Sequence, residues 1–514
     1  MEKKSILWVD DQIDLLKAHI IFLQDKGFQV TSCNNGSESI ELIKNNLYDI
    51  ILLDENMPGI SGIETLEQIK ILRPNLKVIM ITKNEAEDIM EQAIGKQISD
   101  YLIKPVNPNQ ILLSLKKNLK TKELINEANI SQYQQKFRSL SIDMMNISSW
   151  DGWLMLYHEI IFWELKLSKT NDKTMIDILI NQKREANNLF SKFVEKNYES
   201  AIHDSNGPTF SHNLCKRHLF PEIKNQSVVF IVIDNLRYDQ WLCIEPSILE
   251  FSKKIKEHQY FSILPSTTQY SRNSLFSGLM PKIIKEKYPQ YWKDDHEEGG
   301  KNLYEKELLE INLKNNLNPD IKSEFIKVTN PNSADKIIEQ LKEKTKNDIT
   351  TIVYNFVDML SHSKTEMQII KELASNDKAY RSLTKSWFDN SPLLEIIKKS
   401  IELNCKVIIT TDHGTINVKS ASKVIGDKNT SQNLRYKTGK SLTYSFKDNI
   451  VFNDPHVINL PKSSINSSYI FAKEDFYLVY PNNFNYYSNF FKNTYQHGGV
   501  SLEELVIPFI VLNS

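Results

Sequence analysis

The chain has 514 residues, with 63 Lys+Arg against 64 Asp+Glu for a formal net charge of −1, and 40% of it is hydrophobic. That length and apolar share predict two or three folded domains and exclude disorder on composition, while the near-neutral balance supplies no concentrated basic face of the kind direct DNA binding needs. Four cysteines without paired spacing argue against a disulfide framework or a thiolate metal site and fit a reducing compartment, and no run is long enough for a signal peptide or a membrane span, so a cytoplasmic protein without membrane insertion is expected.

From residue 1 to about 120, five strand-and-helix units alternate, with strands at 5–9, 28–33, 49–53, 77–81 and 100–103. The alternation predicts a flavodoxin-like, doubly wound parallel sheet. The first strand ends in Asp10-Asp11, the third in Asp54, the fourth in Thr82 and the fifth in Lys104-Pro105. Carboxylates at neighbouring strand ends make an oxygen-rich cradle suited to one magnesium ion, with Lys104 close enough to pair with a phosphate there. Asp54 is then placed as a nucleophile toward a phosphoryl donor, and Thr82 as a hydrogen-bond partner of the phosphate. On Asp54-Glu55-Asn56-Met57-Pro58-Gly59 and Lys104-Pro105, residues 4–119 resemble the receiver domain of two-component response regulators. The resemblance implies that Asp54 is the phosphoacceptor for a sensor histidine kinase. It also implies that Asp10, Asp11, Asp54 and the Asn56 carbonyl hold magnesium, and that Thr82, Tyr101 and Lys104 form the receiver switch. Lys83 departs from the pattern, which has a small residue beside the phosphate.

Residues 121–215 read as a helical linker bundle, with few breakers and apolar residues near i, i+3, i+4 spacing, such as Leu154, Tyr157, Ile161 and Leu165. Aromatics cluster at Trp150, Trp153, Tyr157, Phe162 and Trp163, as in a bundle core or a dimer seam. Asn206-Gly207-Pro208 marks a break, and no helix pair here presents a basic recognition face.

From 216 to 514 strands and helices alternate again. Three apolar runs end in acids: 228–233 before Asp234, 349–356 before Asp358 and His362, and 406–411 before Asp412-His413. Such runs read as buried parallel strands, and ligands of open α/β sheets gather at their carboxyl ends. After the first run comes Pro265-Ser266-Thr267-Thr268, with a helix expected to open just beyond the threonines and to end at Gly278 and Pro281. A hydroxyl there sits at a helix start that favours an alkoxide or a phosphate. Oxygen and imidazole ligands without thiolates suit zinc or manganese. With His497 in Gln496-His497-Gly498-Gly499, six such side chains are present, too many for one tetrahedral ion, so two metals are the natural count.

This order of acids, hydroxyl and histidines resembles the alkaline phosphatase superfamily, and His497-Gly498-Gly499-Val500-Ser501-Leu502-Glu503-Glu504-Leu505 resembles its PglZ branch over about 226–512. The resemblance implies an alkaline-phosphatase-like α/β domain with one zinc held by Asp358, His362 and His497 and a second by Asp234, Asp412 and His413. The Thr268 oxygen lies between them. Pro265-x-x-Thr268 and Ser274-Leu275-Phe276-Ser277-Gly278-Leu279-x-Pro281 keep the register of the superfamily's nucleotide pyrophosphatase/phosphodiesterases, which favours Thr268 as the catalytic residue over Thr267. Asn235, Ser271, Arg272, Arg435 and Lys437 are substrate-binding candidates. No extra cation is evident near Thr268 to specialise the site for monoesters, which favours phosphodiesters.

Receiver, linker and PglZ-type domain in this order resemble the PorX-type two-component response regulators over the whole chain. The resemblance implies regulation of type IX secretion, a homodimer on phosphorylation, and a sigma factor or secretion component as partner. The expected output is a zinc-dependent phosphodiesterase acting on nucleotide or oligonucleotide phosphoesters. The alternative is a non-DNA-binding signalling adaptor with little turnover.

Overall fold

The computed structural model describes residues 4–83, 98–170, 172–223, 226–328, 331–355, 376–428, 430–464 and 466–513, together with 357, 372 and 374; of 120–125 and 331–335 it describes the backbone alone. Asp358 and His362 therefore lie outside the described residues. The chain divides into two compact units, 1–133 and 134–514.

In the first unit five parallel strands follow the order Gln29–Cys33, Ser5–Val9, Ile50–Asp54, Lys77–Thr82, Asp100–Ile103. Ile6 to Val9, Ile50 to Leu53 and Val78 to Ile81 are all fully buried, so the runs show no period-2 alternation, as expected of a sheet covered on both faces. The register pairs Val9 with Leu53, Asp54 with Ile81, and Thr82 with Ile103. Helix Gly62–Leu72 starts at a capping box, Ser61 with Glu64, which fixes where the chain turns back after Asp54. The predicted strands and their acidic ends are all present.

The second unit is built on a six-stranded sheet in the order Lys253–Phe261, Val506–Asn513, Lys406–Thr410, Val228–Ile233, Ile349–Tyr354, Ser323–Val328. The last four are mutually parallel, and Val506–Asn513 runs antiparallel to both its neighbours. Val228 to Ile233 are buried throughout, and the parallel register brings Thr410 beside Val232. Asp234 and Asp412 thus leave the sheet at the same edge.

Helix Pro108–Asn146 carries the chain across residue 133, and helices Trp150–Leu167 and Lys173–His203 follow. In the predicted stripe Tyr157 and Ile161 are buried and Leu154 and Leu165 half-buried. The aromatic cluster forms part of a packed core: Trp150 meets Phe193, Phe210 and Phe261, and Trp153 meets Phe190. Among the described residues no helix is long and apolar enough to cross a membrane.

One face of helix Lys173–His203 is bonded to the segment that carries the final motif. Asn187 donates to Glu503 Oε2 at 2.9 Å and accepts from the Leu502 amide at 2.8 Å, and Ser191 donates to the Val500 carbonyl at 3.4 Å. Lys183 is buried between Glu164 and Glu503, 3.0 Å from each, while Arg237 and Arg381 share Asp239 beneath it. Burial weakens the Lys183 ammonium, but Glu164, Glu503 and Asp377 outweigh it and hold its pKa well above the ordinary lysine value.

Candidate active site

At the carboxyl edge of the first sheet, Asp10, Asp11 and Asp54 place one oxygen each within 4.8 Å of one another. Lys104 Nζ lies 2.8 Å from Asp10 and 2.9 Å from Asp54. Burial pushes the Asp54 carboxyl up and the neighbouring Asp10 adds to it, against the opposing pull of Lys104. Burial weakens the Lys104 ammonium, yet its bonds to Asp10 and Asp54 leave its pKa raised overall. A carboxylate set with one lysine among it fits a hard, hydrated dication such as magnesium. Thr82 donates to Glu55 at 3.1 Å, Tyr101 packs half-buried against the sheet's core, and Asn56 is exposed beside Asp54. Lys83 is exposed one residue beyond Thr82.

The second sheet's edge holds a denser group. Asp234, Asp412 and His413 are buried and bring ligand atoms within 4.8 Å of one another. Asn235 adopts φ +64, the left-handed turn that lets the chain leave the strand at once, and its amide faces Asp412 Oδ1 at 3.4 Å. His413 Nδ1 lies 3.1 Å from the Gly414 carbonyl. A carbonyl only accepts, so Nδ1 carries a proton, and in the neutral ring Nε2 is the nitrogen that offers its lone pair to the site.

Thr268 begins a single π-type turn, Thr268–Arg272, that runs directly into helix Asn273–Ser277, which is closed by Gly278 in the left-handed conformation. Its Oγ1 is 3.1 Å from His413 Nε2 and 3.4 Å from Asp234 Oδ1. Thr268 is half-buried, whereas Ser266 and Thr267 on one side and Gln269 to Arg272 on the other are buried, so its side chain is the accessible one of the turn. Ser266 is spent on the Gly499 carbonyl at 3.0 Å and the Gly498 amide at 3.1 Å, which ties this turn to the final motif. Gly498 has φ +121, and a Cβ there would meet Tyr436, Asn433 and Thr267 at 2.9–3.0 Å. The His497 ring stacks on that of His413 with centroids 4.3 Å apart.

Electrostatics also bind the group together. Burial raises the Asp412 carboxyl and the nearby Asp234 raises it further. Burial acts on Asp234 too, but Arg272 and His413 outweigh it and leave Asp234 below the usual range. Asp412 Oδ2 has no hydrogen-bond partner. Two buried carboxylates, an imidazole lone pair and an unbonded carboxylate oxygen make a donor set that fits zinc or a similar dication.

Of the substrate candidates, Arg272 reaches the site but from behind. Its Nη1 donates to Asp234 Oδ2 at 2.8 Å and its Nε to Glu305 at 2.6 Å, and Lys327 holds the other Glu305 oxygen at 2.9 Å. Ser271 is bonded to Ser262 Oγ at 2.7 Å. Arg435 is fully buried, its Nη2 2.6 Å from Glu504, whose other oxygen accepts the Gly499 amide at 2.9 Å. Lys437 points its Nζ at the Ser431 carbonyl, 2.9 Å away, under the Tyr480 ring. All four side chains are thus committed to neighbouring protein groups. Glu305, Lys327 and Glu504 escaped the sequence reading. Only Glu504 left a signal: Ser501-x-x-Glu504 is a capping pattern, and the structure has Ser501 capping the Glu504 amide.

Three family models match the chain: the response regulator receiver domain over 6–116, the PorX response regulator linker domain over 123–202, and the BREX system PglZ alkaline phosphatase-like domain over 214–512. Among known proteins, the alginate biosynthesis transcriptional regulatory protein AlgB of Pseudomonas syringae pv. tomato is 31% identical over 119 residues, 23% of this chain and 27% of that protein. The transcriptional regulatory protein CpxR homolog of Haemophilus influenzae is 36% identical over 114 residues, 22% of this chain and 48% of that protein. The chain thus spans less than half the length of either. A CheY-like receiver domain protein from Methanospirillum hungatei, of known structure, is 30% identical, covering 24% of this chain and 98% of that one with a TM-score of 0.23.

Proposed function

The chain belongs to the PglZ alkaline phosphatase-like family, with a receiver and a PorX-type linker ahead of that domain, and from that premise we propose that it is a receiver-controlled phosphodiesterase for nucleotide or oligonucleotide esters. The observation that carries this reading is the position of Thr268 Oγ1, 3.1 Å from His413 Nε2 and 3.4 Å from Asp234 Oδ1.

The chain's own part is positional. The turn at Thr268 presents its hydroxyl oxygen, Arg272 engages Asp234 Oδ2, and Asp234 Oδ1 is thereby left facing Thr268. In the first step the Thr268 Oγ–phosphorus bond forms as the phosphorus–oxygen bond to the leaving alcohol breaks. In the second, water displaces Oγ from phosphorus and returns Thr268. Two zinc ions, one on Asp234, Asp412 and His413 and one on Asp358, His362 and His497, would supply the charge neutralisation that phosphoryl transfer needs.

For the receiver, the reading is that Asp54 takes its phosphoryl group from a sensor histidine kinase with magnesium on Asp10, Asp11, Asp54 and the Asn56 carbonyl. Thr82, Tyr101 and Lys104 then report the change, and a homodimer forms. The output regulates type IX secretion from the cytoplasm through a sigma factor or secretion component, without direct DNA binding. Hydrolysis of bis-p-nitrophenyl phosphate by the purified full chain tests the activity. Turnover abolished both by Thr268→Ala and by chelation supports it; turnover that survives Thr268→Ala, or full regulatory output from that variant in cells, sinks it in favour of a signalling adaptor.

A further inference from the structure

Lys183, Asn187 and Ser191 stand four residues apart on helix Lys173–His203, so they share one face, and all three are buried. That face meets the turn that follows His497-Gly498-Gly499. Asn187 spends both ends of its amide there: Nδ2 donates to Glu503 Oε2 at 2.9 Å, and Oδ1 accepts the Leu502 amide at 2.8 Å. A backbone amide needs an acceptor and a carboxylate needs a donor, so the two partners fix which way the Asn187 amide points. Leu502 opens the short helix Leu502–Leu505, and its amide therefore has no partner inside that helix. The other Glu503 oxygen faces Lys183 Nζ at 3.0 Å.

The next residue carries this position into the candidate metal site. Glu504 accepts the Gly499 amide on Oε1 at 2.9 Å, and its backbone carbonyl accepts the Gly414 amide at 3.0 Å. Gly499 is two residues past His497, and Gly414 directly follows His413. Gly414 also packs on the Glu503 carbonyl without room for a Cβ. Two histidine-bearing segments are thus referenced to one turn, and Asn187 holds that turn from outside.

We infer that Asn187 is a positioning residue for the candidate metal site, supplied by the linker and not by the domain that carries the ligands. It falls within the residues matched by the PorX linker model, 123–202, and outside those matched by the PglZ model, 214–512. The inference rests on the reading that His413 and His497 hold zinc. Groups that orient metal ligands from behind change metal affinity by ~10–100-fold when they are removed. The linker helix therefore has a bonded hold on two ligand-bearing segments, which an inert spacer would lack.

The probe is zinc alone, titrated into the metal-free full chain against a chromogenic chelator, with affinity scored on the folded fraction. Asn187→Leu keeps the volume and removes both bonds, and should weaken zinc binding at least about tenfold. Asn187→Ala removes the same bonds with less crowding and serves if Asn187→Leu does not fold. Asn187→Asp should also weaken zinc, because it sets a second carboxylate against Glu503. The double variant Asn187→Asp, Glu503→Gln keeps the formal charge and remakes both bonds. Its new carboxylate accepts from the Leu502 amide and from the new side-chain amide at 503, whose carbonyl oxygen still faces Lys183. It should bind zinc within roughly threefold of the parent, the signature of a direct pairwise coupling. A purely structural role would lower the melting temperature of the metal-free variants and leave the zinc affinity of the folded protein unchanged. That result overturns the inference, as does a double variant that fails to recover, or a set in which only the parent folds. A parent that binds no zinc overturns it too, whereas a parent that binds zinc without hydrolysing bis-p-nitrophenyl phosphate overturns only the proposed activity.

Discussion

Arg272 and Asp234 are 38 residues apart in the chain, yet Nη1 of the first donates to Oδ2 of the second at 2.8 Å, and both are buried. The pair places a fixed positive charge behind the acids of the candidate metal site. Removing it leaves Asp234, Asp412 and Glu305 without their nearest guanidinium. Arg272→Met is therefore expected to lose about 3–5 kcal/mol of stability, the range for breaking a buried ion pair from one side. Zinc should restore part of it by taking over the charge. Denaturation midpoints in chelator and in zinc read both effects; equal losses in the two conditions would separate Arg272 from the metal site.

Thr267 and Thr268 are neighbours with opposite surroundings. Thr267 is buried with a hydroxyl lacking any hydrogen-bond partner, whereas the Thr268 hydroxyl faces His413. Thr268→Ala should lower phosphodiester turnover at least a thousandfold, and Thr267→Ala by less than tenfold. Steady-state rates of the two variants decide which hydroxyl attacks.

Asp54→Asn should abolish labelling by acetyl phosphate, read as loss of the shifted band on a phosphate-affinity gel. Burial and Asp10 hold the Asp54 carboxyl above its ordinary pKa, so its nucleophilic, deprotonated form declines sooner on acidification than a free aspartate would. Labelling rates should fall accordingly between neutral and mildly acid pH.

Lys437 offers a stability test with a defined sign. Burial lowers its pKa to about 7, so between about pH 7 and the ordinary lysine value the unfolded chain holds the proton more tightly than the folded one. The contribution of this group to stability therefore rises as pH rises through that window, and below about 7 its burial penalty is fully present. Lys437→Met should raise the melting temperature at pH 6 by several degrees and change it much less at pH 9.5.

A Cβ at Gly414 would lie 1.9 Å from the Glu503 carbonyl oxygen, a backbone atom that cannot swing away. Gly414→Ala must push Asp412-His413 off the 503–504 segment. A loss of roughly 1–3 kcal/mol is expected, as for other overpacked cores, together with a fall in bound zinc by metal analysis.

The receiver was legible because each functional side chain directly follows its own strand, so strand ends read from hydrophobic runs place Asp10, Asp54, Thr82 and Lys104 on one edge without any knowledge of distant contacts. Asp234 and Asp412-His413 were legible for the same reason. Arg272 was visible as a residue and not as a role, because its direction depends on Glu305 and Lys327, which arrive from a segment without periodic pattern and from an edge strand. Arg435 and Lys437 looked like solvated loop cations; only the fold shows them closed in by Glu504 and the Ser431 carbonyl. The network of Lys183, Glu503 and Asp377 joins positions hundreds of residues apart, which no local spacing can announce.

The bonds from helix Lys173–His203 to Val500, Leu502 and Glu503 also bear on inheritance. The PglZ match begins at residue 214, but a gene fragment cut there would encode Glu503 without Lys183 and Asn187, a carboxylate folded into the interior with its partners left behind. The compact unit that keeps Glu503 together with Lys183 and Asn187 thus begins upstream of the PglZ match, near residue 134.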